Sequence, residues 1–204
     1  METKITYFEN GGESNTDAAL AAARQRAKEL DIKKIVVAST RGNTAVKAVN
    51  AFENMNVVIV THSIGLHDPN VNEFLDDNRK IVEIKGGKLL TATHGFGGIN
   101  VAFQKLRRPP SPGTIPGPLP GVMPLRLPVP GNIIAQTFFC FSRGMKVAAE
   151  IVIMAADAGL VRTDEEVIAI AGSGRGADTA IVVKPTNTHR FFELQIKEII
   201  CKPR

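Results

Sequence analysis

The sequence has no tryptophan, one tyrosine and only two cysteines among its 204 residues. Surfaces that bind single-stranded nucleic acid stack bases on aromatic side chains set among basic ones, and no such cluster is present. Cys140 and Cys201 lie far apart and form no CxxC pair, so neither a disulfide framework nor a thiolate metal site is indicated. Apolar runs stay well short of the ~20 residues that a membrane-spanning helix needs, and no signal-peptide-like stretch follows Met1. We therefore expect a cytoplasmic protein that binds neither nucleic acid nor membranes.

Charge of one sign is only in slight excess. The formal net charge is +5, and basic and acidic residues are interspersed through the chain. This pattern fits small anionic ligands or a solvated surface better than a nucleic-acid partner. The hydrophobic content of 44% and the charged content of 22% are typical of a globular chain, and the length predicts a single domain over residues 1–204.

Proline is scarce except in one segment. Nine of the twelve prolines lie within residues 107–131. Proline lacks an N–H donor and blocks helices and central strands, so a Pro-rich loop or insertion is predicted there. Disorder is the favoured interpretation, and a lid or a partner-binding arm are the alternatives.

The remaining chain alternates between strand-like and helix-like patterns. Strands are predicted over residues 5–8, 35–38, 57–61, 81–84, 89–93, 167–171 and 180–183. Helices are predicted over residues 14–30, 43–52, 71–78, 99–106 and 133–158, while 191–201 fits a strand or a terminal helix. The alternation is typical of an α/β fold with a mostly parallel sheet, in which ligands bind beyond the carboxyl ends of the strands. Polar, glycine-bearing runs at 39–44, 62–68, 91–98 and 172–179 fall on that side and predict one composite pocket.

The run Ser39-Thr40-Arg41-Gly42-Asn43-Thr44 is the most informative of these. It follows an apolar strand and opens an Ala/Val-patterned helix, so backbone N–H groups and a helix N-terminus converge on one point. Hydroxyl and amide side chains add hydrogen bonds, and Arg41 adds a bidentate positive charge. An ordinary capped turn needs only one Ser or Thr, so the run predicts a site for a phosphate or carboxylate.

The histidines allow several interpretations. His62 and His67 sit five residues apart on a loop, and zinc sites usually have more ligands at tighter spacing, so no metal site is predicted. His62 and His94 are expected either to contact a ligand or to cap loops. His94 could also act as a general acid or base near neutral pH.

Two other motifs do not carry familiar chemistry. Ser39 or Ser173 as a nucleophile lacks a positioned base and a GxSxG elbow, so no catalytic residue is assigned. The Gly172-x-Gly174-x-Gly176 run leads into a strand and is not a dinucleotide-binding motif. Arg175 and Asp178 either line the pocket or pair with each other.

Two segments resemble a known family. Residues 37–45 (VASTRGNTA) are similar to a loop of the C-terminal α/β domain of pyruvate kinase that holds a sugar phosphate of the allosteric effector. Residues 170–183 (IAGSGRGADTAIVV) are similar to the closing glycine-rich loop and last strand of that domain. The chain resembles most the small archaeal proteins that consist of this domain alone.

The resemblance implies a three-layer α/β/α fold with a mostly parallel, five-stranded mixed sheet whose last strand is antiparallel. It also implies the absence of pyruvate kinase activity, because the catalytic barrel would need well over ~200 further residues. Stand-alone relatives can hold flavin mononucleotide (FMN) with its phosphate in the first loop, so FMN is the cofactor that the resemblance implies.

We expect a small-molecule binding protein that holds a phosphorylated ligand, with FMN as a possible one. A flavin-dependent oxidoreductase using the same pocket is the alternative, and an interaction module whose Pro-rich arm docks a partner is a third hypothesis. A homo-oligomer through the apolar helix face around Val147–Met154 is conceivable. The candidate phosphate- or cofactor-binding residues are Thr16, Ser39, Thr40, Arg41, Gly42, Asn43, Thr44, Thr61, His62, Thr91, His94, Gly172, Ser173, Gly174, Arg175, Gly176, Asp178 and Thr179.

Overall fold

The computed structural model describes residues 2–98 and 130–204. The predicted helix at 99–106 and nearly all of the Pro-rich segment at 107–131 lie outside the described residues. The strands are β1 (Thr6–Phe8), β2 (Lys34–Ala38), β3 (Asn56–Thr61), β4 (Lys88–Thr91), β5 (Val167–Ala171), β6 (Thr179–Lys184) and β7 (Gln195–Pro203). The helices are α1 (Thr16–Glu29), α2 (Asn43–Ala51), α3 (Asp76–Ile84), α4 (Pro130–Phe139) and α5 (Arg143–Asp157), and short 3-10 turns cover Glu13–Asn15 and Thr188–Glu193.

The strands form one mixed sheet in the order β1-β7-β6-β5-β2-β3-β4. All neighbouring pairs are parallel except β5–β6 and β6–β7. The predicted α/β class with a mostly parallel sheet is confirmed. The implied count of five strands is corrected to seven, and the reversed strand is β6 rather than the last one. Residues 172–178 are too few for a crossover helix, so β5 and β6 can only pair as an antiparallel hairpin.

Helices cover both faces of this sheet. Alternate residues of β2 point to opposite sides: Ile35 and Val37 pack in one core with α1 and α2, and Val36 packs in the other with α5. All three side chains are fully buried, as expected for a central parallel strand that is covered on both sides. The three-layer arrangement predicted from the resemblance is therefore present. None of the helices within the described ranges is long and apolar enough to cross a membrane.

The segment between β3 and β4 differs from the sequence prediction. A helix was predicted over 71–78 and a strand over 81–84, but one helix, α3, spans Asp76–Ile84. Val82 is buried, whereas Ile81 and Ile84 are exposed. A short apolar run has no periodicity that separates a strand from one turn of helix, and the acidic residues Asp76 and Asp77 favour a helix start here.

The single helix predicted over 133–158 is in fact two. Ser142 is extended (φ −177°, ψ 165°), and its hydroxyl accepts the N–H of Met145, so it caps the new helix α5. Ile151 and Met154 are buried in α5 against the sheet. Most of the apolar face at Val147–Met154 thus packs within the chain, and the homo-oligomer stays a prediction. Residues 191–201, which from the sequence fit a strand or a terminal helix, run from a 3-10 turn into β7, which lies between β1 and β6 in the sheet.

Candidate functional site

The candidate site lies at the carboxyl ends of two neighbouring strands, β2 and β5, after which the chain continues toward opposite sides of the sheet. β2 and β5 are adjacent and parallel, with Val36 opposite Ala169. The chain leaves β2 toward β3 on one side and leaves β5 toward β6 on the other. The loops that follow these two strands therefore diverge and leave a crevice at the carboxyl edge of the sheet. Ligands of open α/β sheets bind at such switch points.

A cavity of about 680 Å³ occupies this crevice. Small-molecule pockets have volumes of roughly 300–1,000 Å³. The structure brings residues from all four of the predicted polar runs to its wall. The candidate residues that line it are Ser39, Thr40, Arg41, Asn43, Thr44, Thr61, His62, His94, Gly172, Gly174, Arg175 and Gly176.

The loop after β2 presents the start of α2 to the cavity. Its Ser39 hydroxyl accepts the N–H of Ala45 at 3.2 Å. Gly42 is the residue before the helix and has a left-handed backbone, with φ at 99°. An α-helix leaves its first four N–H groups without partners inside the helix. The N–H of Ala45 is bonded to Ser39. Helix geometry therefore leaves the N–H groups of Gly42, Asn43 and Thr44 for a ligand.

Helix α3 holds the loop after β2 in place through hydrogen bonds and close packing. The Asn78 amide donates to the carbonyl of Arg41 at 2.9 Å and to Oδ1 of Asn43 at 3.1 Å. A Cβ on Gly42 would lie 2.5 Å from Asn78 Cβ and 3.0 Å from Phe74 Cζ. Gly42 therefore packs against α3, and its side-chain position does not line the cavity. The sequence pattern carried no signal for the role of Asn78, because α3 itself was misplaced.

Asp178 supports the glycine-rich loop after β5 instead of facing the cavity. Its side chain is fully buried, and Oδ2 accepts the N–H groups of Gly12 at 2.8 Å and Ser173 at 2.9 Å. Thr179 donates its hydroxyl to Oδ1 of the same carboxylate. Asp178 thus bonds the backbone and not Arg175. Asp178, Ser173 and Thr179 belong to the framework of the loop and are not among the cavity-lining residues.

Thr16 and Thr91 are also framework residues. Thr16 donates to the carbonyl of Glu13 at 2.7 Å and accepts the N–H of Ala177 at 3.0 Å, so it ties α1 to the glycine-rich loop. Thr91 bonds the Thr61 hydroxyl at 2.8 Å, and Thr61 itself donates to the carbonyl of His62. Both threonines were candidate ligand contacts, and both are used in holding loops at the carboxyl edge.

Two charged residues of α5 line the cavity and were missed from the sequence. Lys146 forms an ion pair with Glu150, whose side chain is almost fully buried. Glu150 also accepts the N–H of Phe96 at 2.9 Å. A signal was present: Glu150 is the only charged residue in the apolar run that follows Lys146, at the i,i+4 spacing that lets the two pair on one face. The buried carboxylate and its lysine partner make this part of the cavity wall polar, although the helix is otherwise apolar.

His94 lies on the same wall and is partly buried. Burial lowers the pKa of His94 below its ordinary 6.5, and the negative charge of Glu150 opposes that shift. The imidazole is therefore neutral near pH 7 and can donate through one nitrogen and accept through the other. His62 stands next to it, with 5.2 Å between the ring centroids.

His62 also belongs to a second cluster at the rim of the cavity. His62 Nδ1 and His67 Nδ1 lie 2.8 Å and 3.1 Å from the same oxygen, Oε2 of Glu73. The hydrogen bond from His62, more than that from His67, lowers the pKa of Glu73, and burial opposes the shift. Glu73 was not a candidate from the sequence, because its place beside the histidines depends on how the loop folds back.

The cavity carries positive charge that is available to a ligand. Arg41 and Arg175 approach it from the two opposite loops, and both are exposed. Within residues 2–98 and 130–204, neither guanidinium takes part in an ion pair with a carboxylate. An anion between these loops would meet two guanidinium groups and the positive end of α2.

A family comparison agrees with this architecture. Residues 17–103 match the family model described as the pyruvate kinase alpha/beta domain. The match runs from α1 past β4 and includes the whole loop 39–44. The similarity to this domain, expected from residues 37–45, is confirmed over that range.

Proposed function

We propose that this chain binds a phosphorylated small molecule in the cavity between the loops that follow β2 and β5. One observation carries the proposal: the start of α2, Arg41 and Arg175 all face the same cavity. A phosphate there would accept hydrogen bonds from helix N–H groups and charge-assisted bonds from guanidinium groups. The hydroxyls of Thr40 and Thr44 would add further donors.

The rest of the lining suits a ligand with a flat apolar part. Val60, Val147, Ile151 and Met154 contribute apolar side chains to the cavity wall. FMN combines a phosphate with a planar ring system, so the residues present fit it, and when bound it would supply hydride- and electron-transfer chemistry. Pyruvate kinase activity is not part of the proposal, because the family match is to the alpha/beta domain.

Titration calorimetry with FMN, riboflavin and a sugar bisphosphate tests the proposal. The phosphorylated ligands should bind more tightly than riboflavin. Charge-assisted hydrogen bonds contribute about 1.5–3 kcal/mol each, so Arg41→Ala combined with Thr44→Val should weaken FMN by roughly two to four powers of ten. Riboflavin should bind both proteins about equally. Lys47→Ala is the matched control, since Lys47 is exposed on α2 and pairs with Asp17 at the surface.

Equal affinity for FMN and riboflavin would contradict the proposal, and so would a double variant that binds FMN as tightly as the parent. In either case loop 39–44 is only a capped turn.

A flavin-dependent oxidoreductase is the second candidate. It is favoured by the titratable groups on the α5 side of the cavity, where His94, Lys146 and Glu150 stand together. Such groups can deliver or remove a proton beside a reacting ligand. Reduction of protein-bound FMN by a nicotinamide donor, with repeated turnover, would support this candidate. Binding of FMN without turnover would support the binding function and contradict the oxidoreductase candidate.

A further inference from the structure

The loop between β3 and α3 folds back so that two imidazoles meet one carboxylate. His62 lies directly after β3, and His67 and Glu73 lie further along the loop. One nitrogen of each ring and one oxygen of Glu73 all lie within 4.8 Å of one another. The side chains are 33%, 63% and 23% exposed respectively, so an ion can reach them from solvent.

Both rings turn the same atom toward the carboxylate. Nδ1 of His62 and Nδ1 of His67 each contact Oε2 of Glu73. Two imidazole nitrogens and a carboxylate oxygen form the donor set of many zinc sites that keep a fourth position open. Ligand bonds of about 2.0–2.2 Å around a tetrahedral ion place the ligand atoms roughly 3.3–3.5 Å apart. The distances from Nδ1 of His62 and Nδ1 of His67 to Oε2 of Glu73, 2.8 Å and 3.1 Å, need to widen by only a few tenths of an ångström to reach this spacing.

The other ring nitrogen of His62 also has a partner. Nε2 lies 3.3 Å from the Thr40 hydroxyl. Histidines that bind a metal through one nitrogen usually donate the opposite N–H to a nearby oxygen, which fixes the tautomer and the ring orientation. Thr40 is placed to be that acceptor. The loop itself is closed by backbone hydrogen bonds from Gly65 to Val71 and from Val71 to Asp68.

We propose that His62, His67 and Glu73 form a site for a divalent transition-metal ion of the zinc class, bound through Nδ1 of each ring and the Glu73 carboxylate. Imidazole and carboxylate ligands suit zinc, cobalt and nickel, whereas magnesium and calcium prefer oxygen donors alone. The ion would lie at the rim of the cavity, because His62 also lines the cavity wall. Its open positions would bind water or a ligand oxygen. The site stands on its own donors and does not depend on the phosphate proposal.

Calorimetric titration of the metal-free full chain with Zn²⁺, and cobalt visible spectroscopy, test this site. One ion per chain should bind, and Co²⁺ should give the intense visible bands of a four-coordinate centre. His67→Ala and Glu73→Gln should each weaken Zn²⁺ by at least about tenfold, since even an outer partner of a ligand is worth about 10–100-fold. Thr40→Val should weaken it by about tenfold for the same reason. His189→Ala removes an exposed histidine outside the cluster and should leave the affinity unchanged.

Nitrogen NMR of the unmodified protein decides the question without a variant. In the metal-free neutral state His62 donates from Nδ1 to Glu73, so zinc must move that proton to Nε2 and change the tautomer. The Nδ1 signals of His62 and His67 should shift on addition of Zn²⁺, and those of His189 should not. Unchanged histidine signals at saturating Zn²⁺ would overturn the proposal. So would variants of His67 and Glu73 that bind Zn²⁺ as tightly as the parent. Neither outcome bears on FMN binding, which is measured without metal.

Discussion

Gly42 shows how one residue fixes the shape of the candidate anion loop. Its φ of 99° is a conformation that other residues adopt only at a cost of about 1–2 kcal/mol. A side chain there would also collide with Asn78 and Phe74. We predict that Gly42→Ala lowers the free energy of unfolding by roughly 2–5 kcal/mol, the sum of backbone strain and overpacking. Urea denaturation measures this value.

The matched control for this prediction is Gly86→Ala. Gly86 has a similar φ of 77°, but nothing lies within 4 Å of the place where its Cβ would be. It should cost only the backbone strain of about 1–2 kcal/mol. If both substitutions cost the same, the close packing of loop 39–44 against α3 is not an important constraint on the loop.

The two cysteines should differ in reactivity. Cys140 is exposed, whereas Cys201 is buried on β7, and burial raises the pKa of Cys201 to about 12. We predict that a disulfide reagent at pH 8 modifies Cys140 alone in the native protein and modifies both thiols after unfolding, because the thiolate is the reactive form. Fast modification of two thiols in the native state would contradict the placement of β7 in the sheet.

The same shift predicts a dependence of stability on pH. The folded-state pKa of Cys201 lies above its ordinary value of 9.0, so the unfolded chain loses this proton first as the pH rises. Its contribution to the free energy of unfolding is complete below pH 9.0 and is lost between pH 9.0 and about 12. Urea denaturation across that range should show a shallower decline for Cys201→Ala than for the parent. An identical decline in both proteins would contradict this.

At the scale of the element, helix α5 places two charged side chains, Lys146 and Glu150, among apolar ones. Glu150 is buried, pairs with Lys146 and lies close enough to His94 to raise the pKa of that imidazole against the larger effect of burial. We predict that Glu150→Gln lowers the pKa of His94 further, because the amide keeps the shape but not the charge. Proton NMR titration of the His94 ring measures the shift.

Glu83→Gln is the control for this titration, since Glu83 lies on the exposed side of α3. It should leave the His94 titration unchanged. A rise in the His94 pKa in Glu150→Gln would contradict the assignment of Glu150 as its stabilising charge.

The folded-state pKa of His94 lies below 6.5. The contribution of the neutral imidazole to the free energy of unfolding is therefore lost as the pH falls below that value.

At the scale of the whole molecule, the sequence predicted the parts of the fold that have strong local signals. The apolar runs at Ile35–Ala38 and Val57–Thr61 have the β-branched composition of buried strands, and both form interior strands that pair with a neighbour on each side. The polar run at 39–44 signalled its position at the edge of the sheet because glycine, hydroxyls and arginine follow a strand directly. These features depend on residues that are neighbours along the chain.

The parts that could not be predicted depend on contacts between distant residues. Whether Ile81–Ile84 becomes a strand or a helix depends on what Val82 packs against. Asp178 could bond Arg175 or the backbone, and only the approach of Gly12 from the first part of the chain decides between them. The meeting of Glu73 with two histidines depends on a loop that folds back on itself. Such outcomes follow from tertiary packing, which a single sequence does not reveal.

The proposed function requires that the loops after β2 and β5 together hold the phosphate of a ligand. The most direct test is to titrate FMN into the ¹⁵N-labelled protein and follow the backbone amide signals by NMR. We predict that the signals of residues 42–45 and 172–176 move together with one affinity. The signals of Gly86 and Gly87, which precede β4 at the opposite edge of the sheet, should not move. Binding of FMN that leaves either loop unshifted, or riboflavin shifts identical to those of FMN, would contradict the claim.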